Sequence, residues 1–241
     1  AQIGGLGLII PNIDNIELAK EDLSDVLKDT IEKDVKKKHS YTRNILIDKT
    51  IKYALNNIGK TISVYKTTNN LNKNSPDKIN HVSLNKYLQW GVDAMLLIRV
   101  DYWNNKTNTI LETSGKYYGG DIGLVNTVIG YEDSSFGYKL ENIVLLQLIF
   151  LKWEVYTLKI YQKNTDNREI DFVIKKGTII KYIQVTHTLD EKNKVREIGN
   201  LLKIRDGFEK ICIFLINNSS FSNDGIRRVD LVRWLLGEIE I

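Results

Sequence analysis

Apolar side chains recur every three to four residues near the start of the chain. Ile16, Leu18, Leu23, Val26, Leu27 and Ile31 predict one helix over residues 15–38. Its last turn is the run Lys36-Lys37-Lys38-His39. A helix dipole favours lysines there without any further role; a face turned to nucleic acid is the competing reading. The helical period then returns three times. Ile47, Ile51, Ala54 and Leu55 mark residues 46–57. Val64, Tyr65 and Leu71 follow Ser63, a serine suited to an N-cap. Leu84, Tyr87, Leu88, Val92 and Met95 line one side of residues 81–97. A polar loop, 72–80, with Ser75-Pro76-Asp77 in it, separates the last two. Strand-like runs at 98–103 and 107–113, around Asn104-Asn105-Lys106, read as a hairpin. Three helices and a hairpin in that order describe a winged helix-turn-helix, though the loop before its third helix is longer than usual.

The pattern changes after residue 117. A helix is expected over 138–152, then strands at 154–160, 168–174 and 178–186, with Lys175-Lys176-Gly177 turning between the last two. A polar helix over 190–204, an apolar strand at 211–216 and a helix over 229–236 complete the chain. The order α-β-β-β-α-β-α is that of a restriction-endonuclease-like core. The expected fold class is therefore α/β in the α+β sense. A helical linker region fills 1–39, a winged helix-turn-helix 40–116, and a restriction-endonuclease-like domain 117–241.

Composition narrows the picture. The chain is 42% hydrophobic and 27% charged, as in globular proteins. Its longest apolar stretch, 143–153, is broken by Gln147 and Lys152 and falls short of the ~20 residues of a membrane helix. No basic segment opens the chain as a signal peptide would, which makes the cytoplasm the expected compartment. With no initiator methionine, the chain reads as a piece of something longer. Cys212 is the sole cysteine, flanked by Ile211 and Ile213, and suits a buried strand. It excludes an internal disulfide and a multi-thiolate zinc site. The net charge of +4 is unevenly spread: residues 40–116 carry 11 Lys and Arg against 5 Asp and Glu, whereas 117–241 carry 17 of each. A basic segment of this kind is a candidate for nucleic acid, with surplus lysines on a solvated face as the alternative.

Candidate chemistry falls in two places. On the third helix and the loop before it, Lys78, His81, Ser83, Asn85 and Lys86 are the expected nucleic-acid-binding residues, facing base edges or phosphates of DNA. In the C-terminal half, strand alternation puts Glu169 and Asp171 on one face and Ile170, Phe172 and Ile174 on the other. On the partner strand Tyr182, Gln184 and Thr186 share a face, so a hairpin can bring Asp171 to Gln184, with Glu141 approaching from the preceding helix. Glu141, Asp171 and Gln184 form the expected catalytic set, and Glu169, Asp171 and Gln184 the expected ligands for Mg²⁺ or Mn²⁺. The lysine that normally accompanies such a metal would stand at Thr186, and Lys203 is the candidate replacement. The plainer alternatives are a solvated strand face for Glu169 and Asp171, and an exposed or ion-paired Glu141. Gly59-Lys60-Thr61 is not a phosphate-binding loop: the motif needs glycine at position 54, where Ala54 stands. No nucleotide site is expected in this chain.

Several strings carry a resemblance. They are Gly4-Gly5, Asp22-Leu23 to Glu32-Lys33-Asp34, Tyr87-Leu88 with Leu96-Leu97-Ile98, Lys116-Tyr117-Tyr118, Asp121-Ile122-Gly123-Leu124 and Leu140-Glu141-Asn142-Ile143-Val144. Glu169-Ile170-Asp171-Phe172-Val173, Ile183-Gln184-Val185, Leu201-Leu202-Lys203-Ile204 and Asp224-Gly225-Ile226 continue the set. Together the chain resembles the C-terminal region of prokaryotic AAA-type ATPases that carry an extension of unknown function. The resemblance implies a missing N-terminal ATPase module, a winged helix and a nuclease-like domain matched at Glu141, Asp171 and Gln184. Where that superfamily places a lysine after its acidic or glutamine residue, Gln184-Val185-Thr186 departs from it. Three functions follow as expectations: a catalytically silent DNA-binding module of an ATPase, an active Mg²⁺- or Mn²⁺-dependent DNA endonuclease, and a protein–protein or oligomerisation domain.

Overall fold

A computed structural model describes residues 4–7, 12, 14–39, 44–73, 76–131, 136–160, 168–189, 198–217 and 225–241. The fold is mixed α/β, with a mixed seven-stranded sheet. The chain divides into two compact units, residues 1–99 with 114–135, and residues 100–113 with 136–241.

The first unit is built from helices. Asn15 caps α1 (Ile16–Thr30) by accepting the Leu18 N–H at 3.3 Å. Its buried row, Ala19, Leu23, Leu27, Ile31 and Val35, has a spacing of four residues. Such a row drifts ~40° per turn around an α-helix of 3.6 residues per turn. The drift is taken up where the helix widens into a π-helical segment, Ile31–Lys37. There Lys36, only 8% exposed, donates to Glu32 and to Asp48 of α2 (Asn44–Leu55), at 2.6 Å each. The basic run is therefore partly consumed inside the fold.

α3 (Val64–Asn72) is capped by Ser63, and α4 (His81–Asp93) by Asn80, which accepts the Ser83 N–H at 2.8 Å. The long loop between them is closed by Asn72, whose amide donates to Ile79 O at 2.9 Å and accepts the Ile79 N–H at 2.8 Å. α4 stops four residues before the expected end. Met95 turns left-handed (φ 57°) and the Leu96 N–H returns to Gly91 O at 3.0 Å, the closing bond of a helix C-terminus. Gly59-Lys60-Thr61 follows α2 as a turn, with Gly59 at φ 71° donating to Tyr117 O at 2.9 Å. α5 (Ile122–Ile129) falls where no helix was expected, capped by Asp121.

The hairpin strands are β1 (Leu97–Asn104) and β2 (Thr109–Gly119), of which Val100–Thr113 belongs to the second unit. There follow α6 (Phe136–Phe150), β3 (Glu154–Ile160), β4 (Arg168–Lys176), β5 (Ile179–Leu189), β6 (Glu209–Asn217), β7 (Arg227–Asp230) and α7 (Leu231–Leu235). The sheet order is β2-β1-β3-β4-β5-β6-β7. β1 runs parallel to β3, β3, β4 and β5 are antiparallel, and β5, β6 and β7 are parallel. The parallel step from β5 to β6 requires a crossover. Residues 198–202 are helical, and the rest of that expected helix, 190–197, lies outside the described residues. The last expected helix begins late: Val229 is buried in β7, pairing with Ile213, and Asp230 caps α7. Cys212 is buried in the core of one sheet face, with Trp103, Leu158, Ile170, Val173, Tyr182, Leu201 and Phe214.

Candidate functional site

Asp171 sits where the alternation of β4 breaks. Tyr156 pairs with Val173 and Leu158 with Ile170, so the single residue Thr157 faces both Asp171 and Phe172. This is a β-bulge, which reverses the facing of the residues beyond it. Ile170 and Val173, three apart, accordingly share one core cluster. The expectation that Ile170, Phe172 and Ile174 pack together on one face is corrected by that insertion. Thr157, fully buried, donates its hydroxyl to Ile170 O at 3.1 Å.

The bulge aims the Asp171 carboxylate at β5. Regular pairing of β4 with β5 runs from Lys176↔Ile179 to Phe172↔Ile183. Beyond it, Asp171 Oδ2 accepts the Gln184 Nε2–H at 2.7 Å and the Val185 backbone N–H at 2.7 Å. Asp171 and Gln184 are 7% and 5% exposed. The other expected metal ligand, Glu169, is engaged elsewhere: its Oε1 accepts the Tyr102 hydroxyl at 3.0 Å. Glu141 is half-buried on α6, in the same i, i+4, i+7 row as Leu145 and Leu148, and α6 packs on β3 and β5. Thr186, 9% exposed, donates to Thr188 O at 3.0 Å. Lys203 is half-buried just beyond the helical residues 198–202.

Asp171 and Gln184 meet, while Glu169 turns to Tyr102. Gln184 offers its N–H and not its carbonyl oxygen to the shared point, and Oδ2 of Asp171 already accepts two hydrogen bonds. Among the described residues, no group of three or more His, Cys, Asp or Glu could hold a metal ion. What the geometry does is tie β4 to β5 through a charged hydrogen-bond acceptor. Tyr182, on the same strand, does not supply a base. Burial, and the Asp206 carboxylate it donates to at 2.6 Å, hold its phenol far above the usual range, so it stays a neutral donor.

The expected nucleic-acid residues lie on the first unit. α4 buries Leu84, Tyr87, Leu88, Trp90 and Gly91, which leaves His81, Val82, Asn85 and Lys86 exposed and Ser83 half-buried. The His81 ring meets the edge of Tyr65, itself 66% exposed, at 5.9 Å between centroids. The Lys86 ammonium lies 5.0 Å from the Trp90 ring, and Lys78 donates to Asn72 O at 2.7 Å.

Two features were missed in the sequence. One is the antiparallel bridge between Thr61, in the segment joining α2 to α3, and Lys116 of β2. The other is Asp121, 7% exposed, which accepts Gly123 N–H at 2.7 Å, Leu124 N–H at 3.1 Å and Gly5 N–H at 2.8 Å. Two of the strings that carry the resemblance are thus joined by one side chain. An aspartate two residues before Gly123, at the head of an apolar run, was the available N-cap signal.

Residues 12–135 match a family described as a domain of unknown function (DUF8612), and the chain belongs to that family. It is similar to an uncharacterised protein of Haemophilus influenzae, 30% identical over 191 residues, which cover 79% of this chain and 46% of that protein. It is also similar to the uncharacterised protein MJ1544 of Methanocaldococcus jannaschii, 33% identical over 187 residues, covering 77% of this chain and 41% of that protein. The chain spans less than half the length of each of these relatives.

Proposed function

We propose, with membership of that family as the premise, that this chain is a nucleic-acid-binding module. In this reading α2, α3 and α4 of the first unit, with the β1–β2 hairpin that follows them, make a winged helix whose α4 is the contact, and the second unit is restriction-endonuclease-like but catalytically silent. The observation that carries the reading is the Thr61–Lys116 bridge. It adds, to three helices and a hairpin, a single bridge at the position between first and second helices where a winged helix places a short strand. α4 is then the recognition helix, and its exposed side chains suit the task. Asn85 can donate to and accept from a base edge, His81 can do either, and Lys86, with Lys78 of the loop before the helix, can meet phosphates. The resemblance to AAA-type ATPases supports an ATPase as the machine that such a module serves.

Silence of the second unit is supported by three features. Asp171 is satisfied by Gln184 and Val185, Glu169 is held by Tyr102, and a threonine takes the place of the lysine. An active endonuclease would first have to turn the Gln184 amide over and recruit a cation from elsewhere. The experiment is a mobility-shift titration of duplex DNA over a salt series, with the parent and the Lys78→Ala, Lys86→Ala double variant. Affinity should fall with salt, and the double variant should have a salt slope shallower by about two. Affinity that ignores both salt and the two lysines would remove α4 from the contact.

A further inference from the structure

A cleft of about 350 Å³ lies in the first unit, lined by Ser24, Leu27, Lys28 and Ile31 of the first helix, Asp48 and Lys52 of α2, and Thr127 and Val128 of α5. The volume is at the lower end of small-ligand sites. Its floor is apolar, with Leu27 and Ile31 buried, and its rim is polar. Two lysines stand on that rim, Lys28 and Lys52, both exposed, and neither ammonium is taken up by an ion pair among the described residues.

Lys52 would ordinarily have a partner. Asp48 precedes it by four residues on the same helix face, the spacing at which such pairs form. Asp48 Oδ2 is instead held at 2.6 Å by Lys36, which Glu32 also binds at 2.6 Å. Lys36 reaches Asp48 from the π-helical segment that begins at Ile31, on the cleft floor. π-helical turns are found at functional sites more often than their rarity suggests. Here the widened turn has a definite consequence: it neutralises the one carboxylate on the cleft and leaves two positive charges facing it. Burial works against the Lys36 charge, but its hydrogen bonds to Asp48 and Glu32 outweigh that and hold its pKa above the ordinary lysine value.

We propose that this cleft binds a phosphoryl group, held between Lys28 and Lys52 with Ser24 as a neutral hydrogen-bonding group, and that the apolar floor takes the organic part of a small phosphorylated ligand. The site is separate from the α4 surface and does not rest on the nucleic-acid reading. Phosphate is also the chemistry of a nucleic-acid backbone, so the test separates the two sources.

The whole chain is titrated calorimetrically with pyrophosphate and with ADP, and each titration is repeated with a saturating short DNA duplex present. The variants are Lys28→Ala with Lys52→Ala, Lys36→Met, and Lys66→Ala as a control on an exposed lysine of α3 that does not line the cleft. Binding of both probes is expected. Each cleft lysine contributes about tenfold, so the double variant should lose about a hundredfold. Lys36→Met should weaken binding as well, because Asp48 is released to pair with Lys52, while Lys66→Ala should change nothing. Thermal unfolding of each variant checks that it is folded. If the duplex leaves probe binding intact, the ligand is a free phosphorylated molecule; if it competes through Lys28 and Lys52, the phosphoryl group is that of nucleic acid. No binding of either probe, or binding equally reduced by Lys66→Ala, overturns the proposal.

Discussion

Val185 N–H donates to a side chain, Asp171 Oδ2, which Gln184 also engages. Replacing Asp171 by alanine leaves two buried donors without that acceptor, at ~1–3 kcal/mol for each group. Asp171→Ala should therefore lower stability by about 2–6 kcal/mol, read as a shift in the urea midpoint; a change under ~0.5 kcal/mol would mean the carboxylate ties nothing together. Gly120 is constrained by backbone instead. A methyl group there would stand 1.9 Å from the Met95 carbonyl oxygen, which is backbone and cannot step aside. Gly120→Ala should cost about 2 kcal/mol or more by the same measurement. At this scale the sequence was only half legible. Alternation named Asp171 and Gln184 as neighbours, though the bulge is what aims the carboxylate. It failed for Ile170, Phe172 and Ile174, because a bulge depends on what lies opposite, here Thr157, and no pattern within β4 alone contains that.

The first helix shows the same division between local and non-local causes. Its apolar row was plain in the sequence, and so was its extent to residue 38. The π-helical widening was not, since it answers to Lys36 reaching Asp48 on another helix. That pair makes a pH prediction. The folded-state pKa of Lys36 is raised, so its contribution is fully present below the unfolded lysine value of about 10.4 and is lost as pH rises through the folded value. The stability difference between the parent and Lys36→Met should be flat from neutral pH to about 10 and shrink above it. A difference that grows above pH ~10 would reverse the sign and refute the ion-pair account. α5 was illegible for another reason. Eight residues give too short a period to recognise, and its definition comes from Asp121, whose third hydrogen bond arrives from Gly5, far away in sequence. At the far end, Val229 looked helical because its apolar neighbours suit either state; its pairing with Ile213 decides for the strand.

Across the molecule, element order was the most readable quantity. Helices at 44–55, 64–72 and 81–93 and strands from β3 to β6 stand close to where the hydrophobic pattern put them. Less legible was the membership of the hairpin: Val100–Thr113 belongs to the second unit, with Tyr102 of β1 paired to Thr157 of β3. A hairpin signal is local, whereas the sheet that it joins is set by residues some fifty positions later. None of the described helices is long and apolar enough to cross a membrane. The central claim, a nucleic-acid-binding module with a silent nuclease-like unit, is tested by one gel. Supercoiled plasmid is incubated with the parent chain and with Asp171→Ala, in Mg²⁺ and in Mn²⁺, and each sample is run both intact and after removal of protein. The account predicts retarded plasmid in the intact lanes and unchanged supercoiled plasmid in the stripped ones, for both chains. Nicked or linear plasmid from the parent and not from Asp171→Ala would contradict it.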